Sequence, residues 1–188
     1  MPRPLLTPSR SVVLLMAYLS AALAQLPRAP DVPYVPTTEE AVRFMLKMAE
    51  VRKTDTLYDL GCGDGRIVIA AAKLYRAHAV GIDIDPRRIR EAKENAKKAR
   101  VESLVRFEEN DLFQADIHDA TVVTLYLLPD VNLRLRPKLL KELKPGTRIV
   151  SNTFSMGDWK PDREETLPGS AQISLSSHFY LWVVPQPK

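Results

Sequence analysis

The sequence is poor in cysteine and histidine, and both shortages exclude particular kinds of site. Cys62 is the only cysteine, so the chain has no internal disulfide and no cysteine-rich metal centre. The three histidines lack the spacing of metal ligands, so no metal site is predicted. Internal repeats and low-complexity tracts are also missing. A hydrophobic content of 45% over 188 residues then favours one ordinary globular domain.

The sequence also lacks a strong excess of charge. Its formal net charge is +4. Arg3 and Arg10 supply two of those charges, and residues 1–24 contain no acidic residue. No basic stripe is interleaved with aromatic residues. Nucleic acid is therefore not the expected partner.

A long hydrophobic run is missing at the amino end. The apolar segment 11–24 would form a helix of roughly 21 Å, whereas the hydrocarbon core of a bilayer is roughly 30 Å thick. It ends in Ala22-Leu23-Ala24, a pattern that signal peptidase recognises. We expect residues 1–24 to be a signal peptide or an N-terminal anchor, which predicts an exported, periplasmic or inner-membrane-anchored protein. A mis-assigned start codon would instead leave it cytoplasmic.

Residues 25–36 form a proline-rich arm. Prolines recur at every third residue, at positions 27, 30, 33 and 36. Polyproline II helix has three residues per turn, so the four rings would lie along one edge of an extended segment. Two interpretations fit this pattern: a stiff linker, or an arm that folds over a bound cofactor through Tyr34 and Thr37.

Although the chain has only seven glycines, three of them fall in one turn, at positions 61, 63 and 65. An apolar strand precedes this glycine turn and a helical pattern follows it. Residues without a Cβ let the backbone bend sharply and lie against a ligand, and the following helix offers unpaired N–H groups. The pattern indicates a nucleotide-type cofactor site at the carboxyl end of the first strand.

Strand and helix patterns alternate through most of the remaining sequence. Strands are predicted over 56–60, 79–84, 104–108, 121–127 and 148–153, and helices after a capping box at Thr37 and Glu40, over 65–75, from Pro86 and over 130–143. This alternation favours an open parallel α/β sheet with right-handed crossovers. Two final strands, over 172–176 and 179–184, are predicted to form an antiparallel hairpin at the sheet edge.

Acidic residues lie at or next to the ends of the first three predicted strands. Asp83 ends the second strand, where a carboxylate can accept hydrogen bonds from both hydroxyls of a ribose. Asp59 precedes the glycine turn and is placed to hold an ammonium group or to order the turn. Asp111 follows the third strand, where it can accept the amino proton of an adenine. An acidic crevice of this kind suits a cationic ligand better than a pyrophosphate.

Four successive motifs resemble those of a class I, seven-stranded S-adenosylmethionine-dependent methyltransferase. They are Asp59-Leu60-Gly61-Cys62-Gly63-Asp64-Gly65, Gly81-Ile82-Asp83, Asn110-Asp111-Leu112-Phe113 and Leu143-Lys144-Pro145-Gly146. The resemblance covers about residues 37 to 184. It implies a Rossmann-like α/β domain over 37–188, with strand order 3-2-1-4-5-7-6, strand 7 antiparallel and helices on both faces.

The same resemblance implies which residues bind S-adenosyl-L-methionine. The amino-acid end of the cofactor falls to Asp59 and the backbone of the glycine turn, and its ribose falls to Asp83. The adenine falls to Asp111 with Leu112. The full set of implied cofactor-binding residues is Tyr34, Thr37, Asp59, Gly61, Cys62, Gly63, Gly65, Asp83, Ile84, Asn110, Asp111 and Leu112.

Three shorter motifs resemble a smaller group of methyltransferases. They are Val32-Pro33-Tyr34-Val35-Pro36-Thr37, Thr124-Leu125-Tyr126-Leu127-Leu128-Pro129 and Met156-Gly157-Asp158-Trp159. That group includes the mitochondrial protein-lysine methyltransferases that act on subunit c of ATP synthase and on the adenine nucleotide translocator. It implies that Tyr34 and Thr37 lie over the cofactor and that Tyr126 positions the methyl acceptor.

The expected function is therefore N-methylation of a protein lysine. Tyr126-Leu127-Leu128-Pro129 departs from the Asn/Asp-Pro-Pro-Tyr/Phe sequence of enzymes that methylate adenine or glutamine amides. Two alternatives stay open: a small-molecule amine as the acceptor, and an exported binding protein that keeps the fold without the chemistry. A dehydrogenase is disfavoured by the glycine spacing and by the closing hairpin.

Overall fold

Seven strands form one sheet in the computed structural model, which describes residues 30–167 and 178–186. The strands are β1 (Thr56–Leu60), β2 (His78–Asp83), β3 (Val105–Glu109), β4 (Val122–Leu125), β5 (Arg148–Asn152), β6 (Arg163–Thr166) and β7 (His178–Val183). The described helices are α1 (Glu39–Met48), α2 (Arg66–Tyr75), α3 (Pro86–Ala99) and α4 (Pro129–Glu142).

The strand order confirms the predicted topology. It runs β3-β2-β1-β4-β5-β7-β6, with β1 to β5 parallel to one another. Strand β7 is antiparallel to both β5 and β6. The carboxyl ends of the parallel strands therefore lie on one edge of the sheet, which is where open α/β sheets bind ligands.

The predicted start of α1 was wrong by one residue. Thr38, not Thr37, is the N-cap, and its hydroxyl accepts a hydrogen bond of 3.2 Å from the N–H of Ala41. Both threonines are good capping residues, so the sequence alone does not distinguish them. Thr37 is instead buried, and its carbonyl accepts a hydrogen bond of 2.6 Å from Arg66.

Strand β7 also pairs with a different strand from the one that the sequence predicted. The strand expected over 172–176 falls in residues 168–177, which lie outside the described part of the chain. Within that part, β7 pairs with β6, whose sequence Arg-Glu-Glu-Thr has no apolar alternation to reveal it. Charged side chains are common on edge strands because they discourage pairing with other chains.

Two buried apolar clusters lie on opposite faces of the sheet. One joins α1, α2 and α3 to the face that carries Leu57, Val122 and Phe179. The other joins α4 to the face that carries Leu60 and Leu125. Helices therefore cover both faces of the sheet.

The described helices are all too short or too polar to cross a bilayer. The apolar segment 11–24 lies outside the described residues.

Candidate active site

A cavity of about 440 Å³ opens at the carboxyl ends of the parallel strands. This volume falls in the range of roughly 300–1,000 Å³ that is typical of small-molecule sites. It is lined by the glycine turn (residues 61–65), the proline-rich arm, the ends of β2 and β3, and the segment after β4. The predicted site residues on its wall are Tyr34, Thr37, Asp59, Gly61, Cys62, Gly63, Asp83, Ile84, Asn110, Asp111, Leu112 and Tyr126.

The glycine turn is tightly enclosed. Gly61 and Cys62 both donate hydrogen bonds to the carbonyl of Ile82, at 2.8 and 2.9 Å. Gly63 has a φ of +53°, and a Cβ at this position would lie 2.6 Å from the Tyr34 ring. Close backbone packing in a left-handed conformation requires glycine at this position.

Gly65 lies outside the cavity wall, contrary to the expectation. It precedes α2 with a φ of +80°, and an added Cβ would lie 2.7 Å from Phe107 and 2.9 Å from Ala92. Gly65 therefore allows α2 to pack closely against β3 and α3. This third glycine serves the packing of the helix behind the turn.

Asp83 is held in a fixed orientation at the end of β2. Its Oδ2 accepts a hydrogen bond of 2.8 Å from the N–H of Gly63, and its Oδ1 accepts one of 2.9 Å from the N–H of Asp85. A carboxylate has about four acceptor positions, so further hydroxyl groups can bind to the same oxygens. The arrangement ties the glycine turn to the carboxylate predicted to bind the ribose.

The residues predicted to bind the adenine form a turn beside Asp83. The N–H of Asn110 donates a hydrogen bond of 3.0 Å to the carbonyl of Asp83. Asp111 Oδ1 accepts one of 2.9 Å from the N–H of Phe113. Ile84 and Leu112 supply apolar wall on the same side of the cavity.

Asp59 is a buried carboxyl at the floor of the cavity. Burial raises its pKa to about 7, the nearby carboxyls of Asp83 and Asp64 act in the same direction, and a hydrogen bond from Thr124 acts to lower the pKa. The Thr124 hydroxyl donates that bond to Oδ1 over 2.7 Å. A cationic group bound in the cavity would favour the ionised form of Asp59.

The described part of the proline-rich arm forms one wall of the cavity. The guanidinium of Arg88 stacks 4.2 Å from the centre of the Tyr34 ring. Arg66 binds the Thr37 carbonyl and pairs with Asp64 at 2.6 Å. Burial acts to raise the pKa of Asp64, but the bonds with Arg66 outweigh it and hold that pKa below its usual value.

These two arginines were not among the predicted site residues. Their contacts with the arm join parts of the chain that are far apart in sequence, so no local motif marks them.

Tyr126 lies where the cavity meets the end of β4. Its ring is stacked on that of Phe154, with 6.5 Å between centroids and 21° between planes. The following residue, Leu127, is buried against the glycine turn. This side of the cavity is therefore aromatic and apolar, whereas the glycine turn and its neighbours are acidic.

Cys62 lines the cavity without the features of a nucleophile. Burial raises the pKa of its thiol well above the usual value, and the carboxyls of Asp59 and Asp83 add to this shift. A reactive cysteine needs a stabilised thiolate. Within the described residues, no group of three or more His, Cys, Asp or Glu side chains is placed to hold a metal ion.

These residues fit the cofactor that the motifs imply. S-adenosylmethionine carries a ribose, an ammonium and a sulfonium, and the cavity offers carboxyl groups at Asp59 and Asp83. The cationic side chains on the wall include Arg66, which is paired with Asp64, and Arg88, which stacks on Tyr34. These acceptor groups suit a cationic nucleoside.

Comparison with protein families gives a consistent result. Residues 59–163 match the model of the ANTKMT methyltransferase domain. A protein-lysine N-methyltransferase from Saccharolobus islandicus is 46% identical over 160 residues, which cover 85% of this chain and 98% of that protein. An adenine nucleotide translocase lysine N-methyltransferase from Mus musculus is 32% identical over 143 residues, which cover 76% of this chain and 62% of that protein.

Comparison with solved structures finds the same fold with a bound product. The crystal structure of an RNA methyltransferase from Salinibacter ruber in complex with S-adenosyl-L-homocysteine is 52% identical, with a TM-score of 0.77. The match covers 82% of this chain and 96% of that one. S-adenosyl-L-homocysteine is what remains of S-adenosylmethionine after methyl transfer.

Proposed function

Since the chain belongs to the ANTKMT methyltransferase family, we propose that it transfers a methyl group from S-adenosylmethionine to the side-chain amine of a protein lysine. One observation of the structure carries this proposal. The cavity places the carboxyls of Asp59 and Asp83 and the apolar wall at Tyr126 on the same edge of the sheet. This arrangement supports a cofactor site and an acceptor site as neighbours in one cavity.

The protein's part in such a reaction is mainly to position the reactants. S-adenosylmethionine supplies a methyl group that is already activated by its sulfonium. The glycine turn and Asp83 fix the nucleoside, and Asp59 favours the ammonium of the amino-acid end. Holding two reactants in line at the correct distance accounts for a large share of the rate in reactions of this type.

A lysine acceptor must lose a proton before it can attack. The pKa of a free lysine is about 10.4, and transfer of the amine into an apolar environment lowers that pKa. Leu127 is buried on the cavity wall beside Tyr126, so this wall favours the neutral amine. The Tyr126 hydroxyl and nearby backbone carbonyls are suited to orient its lone pair.

The similarity to the protein-lysine N-methyltransferase from Saccharolobus islandicus supports lysine as the acceptor. The Salinibacter ruber relative is an RNA methyltransferase, so RNA is the alternative acceptor to test against lysine.

The decisive assay offers both acceptors to the purified protein. Full-length protein and its Asp83→Ala variant are incubated with methyl-labelled S-adenosylmethionine and a cell extract divided into protein, RNA and small-molecule fractions. We expect label in the protein fraction, on lysine by mass spectrometry, and none with the variant. Label confined to RNA or to small amines would contradict a protein-lysine substrate. The absence of label from every fraction would contradict methyltransferase activity.

We further propose that residues 11–24 act as an export signal or anchor, on the basis of their apolar sequence and the Ala22-Leu23-Ala24 pattern. A mature terminus at Gln25 in the periplasmic fraction would support cleavage and export. An intact amino terminus in the membrane fraction would support anchoring, and an intact protein in the cytosol would contradict both.

A further inference from the structure

A strained turn centred on Thr153 follows β5. The N–H of Phe154 donates a hydrogen bond of 2.8 Å to the carbonyl of Asn152, two residues earlier, and Thr153 between them has a φ of +67°. A γ-turn with a positive φ at its centre is the rare and strained form of this turn. Strain of this kind persists only where the surrounding structure holds the backbone in place.

Thr153 differs from the other residues with this backbone conformation. Within residues 30–167 and 178–186, three other non-glycine residues have a positive φ, and each lies one or two residues after the end of a helix, where left-handed conformations are common: Glu50, Arg76 and Arg100. Thr153 follows a strand instead, and its Cβ is branched, which makes a positive φ a genuine outlier. Glycine would allow the same turn without the strain.

The contacts around this turn fix the position of Phe154. The N–H of Thr153 donates to the carbonyl of His178 over 2.7 Å, which continues the pairing of β5 with β7. The hydroxyl of Ser151 donates to the Phe154 carbonyl over 2.7 Å, and Nδ2 of Asn132 on α4 donates to it over 3.1 Å. Both donors are fully buried. Two buried hydrogen bonds therefore meet at one carbonyl and hold the end of the turn.

Helix α4 also holds the residues that follow. Arg136 donates a hydrogen bond of 3.0 Å to the carbonyl of Met156. A Cβ added at Gly157 would lie 2.6 Å from Cδ2 of Leu133, so the loop packs closely on the helix. Helix α4 begins three residues after Tyr126. One helix thus connects the segment that carries Tyr126 to the loop that carries Phe154.

The turn keeps the ring of Phe154 level with that of Tyr126. Leu125 of β4 pairs with Ser151 of β5, so an extended chain would place Phe154 roughly 7 Å beyond Tyr126 along the strand direction. The two rings are instead stacked, with 6.5 Å between centroids. Tyr126 lines the cavity, whereas Phe154 does not. Phe154 therefore reaches the cavity only through its contact with Tyr126.

We propose that the strained turn makes Phe154 a positioning residue for methyl transfer, because it fixes the Tyr126 ring so that its hydroxyl meets the acceptor amine at one angle. This inference rests on the proposed function, since it assigns a further residue to the acceptor side of the same cavity. Methyl transfer requires the amine, the methyl group and the sulfur to lie in line. A loosely held acceptor lowers the rate of transfer without weakening the cofactor.

A double-mutant cycle between Phe154 and Tyr126 tests the proposal. Full-length variants are compared by their initial rates of label transfer from saturating S-adenosylmethionine to lysine in the protein fraction of a cell extract. Phe154→Leu should lower this rate about threefold, which corresponds to the loss of one aromatic pair. In a Tyr126→Phe background the hydroxyl is already absent, so Phe154→Leu should cause no further loss. The Kd for S-adenosylhomocysteine, measured by calorimetry, should stay the same in every variant.

Thr153→Gly separates positioning from stability. Glycine adopts a positive φ without strain, so the unfolding temperature should stay the same or rise. The turn also becomes more flexible, so the transfer rate should fall about twofold to threefold. A residue with only a structural role would not lose activity while the fold keeps its stability.

Phe44→Leu is the matched control. Phe44 is also half-buried and also belongs to an aromatic pair, with Phe179, but this pair lies in the cluster on the α1 face of the sheet and outside the cavity wall. Its substitution should lower the unfolding temperature and leave the transfer rate unchanged.

Three results would overturn the inference. They are an unchanged rate in Phe154→Leu or in Thr153→Gly, an equal loss from Phe154→Leu in both backgrounds, and a loss of affinity for S-adenosylhomocysteine that matches the loss of rate. Failure of the wild-type protein to label lysine would instead overturn the proposed function, and the inference with it.

Discussion

The hydroxyl of Thr124 on β4 donates a 2.7 Å hydrogen bond to the carboxyl of Asp59 on β1, and both side chains are buried. Burial raises the pKa of Asp59 to about 7 even though this bond acts to lower it. Asp59 therefore changes charge near neutral pH. Titration of this one group should affect the stability of the protein.

We expect Asp59→Asn to stabilise the protein more as the pH rises. The folded pKa is about 7 and the unfolded value is about 3.8, so the folded state binds the proton more tightly between those values. The wild-type protein therefore loses stability from about pH 4 to pH 7, whereas the variant does not. Three pH units at 1.36 kcal/mol give a difference of at most about 4 kcal/mol.

Urea unfolding at pH 4, 5.5, 7 and 8.5 measures this difference. The gap between the free energies of unfolding of the variant and the wild type should widen up to about pH 7 and then stay constant. A gap that is the same at every pH would mean that Asp59 ionises normally in the folded protein.

Replacing Asp83 should remove most of the affinity for the cofactor. Asp83→Ala loses the acceptor of the Gly63 N–H and the carboxylate that is predicted to bind the ribose. Hydrogen bonds to a charged group contribute about 1.5–3 kcal/mol each, so we expect the Kd for S-adenosylmethionine to rise at least about a hundredfold. Calorimetry measures the change.

Glu109→Ala is the matched control for Asp83. Glu109 pairs with Asp83 in the neighbouring strand, but its side chain is exposed and lies outside the cavity wall. Glu109→Ala removes one negative charge from the same end of the sheet, as Asp83→Ala does. Equal losses in the two variants would point to a general electrostatic effect in place of a specific contact.

Gly63→Ala should displace the arm from the glycine turn. The new Cβ would lie 2.6 Å from the Tyr34 ring, and the φ of +53° adds strain of about 1–2 kcal/mol. In a Tyr34→Ala background the clash is gone and only the backbone strain stays. We expect a coupling energy of about 0.5–3 kcal/mol between the two substitutions in unfolding experiments.

Gly146→Ala separates backbone strain from the clash. Gly146 has a φ of +86°, but an added Cβ would meet nothing within 4 Å. Its cost should match that of Gly63→Ala in the Tyr34→Ala background and should be independent of Tyr34. If Tyr34→Ala does not reduce the cost of Gly63→Ala, the arm does not pack on the turn in solution.

The sequence predicts those parts of the fold that a local pattern of residues marks, and it misses parts that depend on distant contacts. Strand β1 matches its prediction at both ends because an apolar run stands between clear boundaries. The strand order followed from the resemblance to a family, since spacing alone does not determine which strands are neighbours. Strand β6 escaped prediction because its charged residues carry no alternation of apolar and polar positions.

The candidate site also divides into residues marked by a local motif and residues defined by distant contacts. Asp59, Asp83 and Asp111 were predictable because each lies at or next to the end of a strand within a short motif. The contact of Arg66 with Thr37 joins residues 29 apart, and the role of Gly65 depends on Phe107, far along the chain.

Arg148→Met should destabilise the fold by about 3–5 kcal/mol, because it leaves a buried carboxylate without its cationic partner. Arg148 pairs with Asp55 and also binds the carbonyls of Ala49 and Glu50, so it joins β5 to the end of α1. The Asp55 side chain is only 7% exposed. Urea unfolding measures the loss.

Two further variants support that assignment. Adding Asp55→Asn should recover part of the stability lost in Arg148→Met, because the unpaired charge is removed. Arg52→Met, which breaks an exposed pair with Glu50, should change the free energy of unfolding by no more than about 1 kcal/mol. A large effect of Arg52→Met would show that burial does not explain the difference.

Tyr126 is expected to act on the acceptor and not on the cofactor. If its hydroxyl orients the amine, Tyr126→Phe should lower kcat about tenfold, the effect of one lost hydrogen bond, while the Kd for S-adenosylmethionine stays the same. Phe154→Leu removes the ring stacked on Tyr126 but keeps the hydroxyl, so its effect on kcat should be smaller. A Kd for S-adenosylmethionine that rises in Tyr126→Phe, with kcat unchanged, would place the hydroxyl on the cofactor side of the cavity.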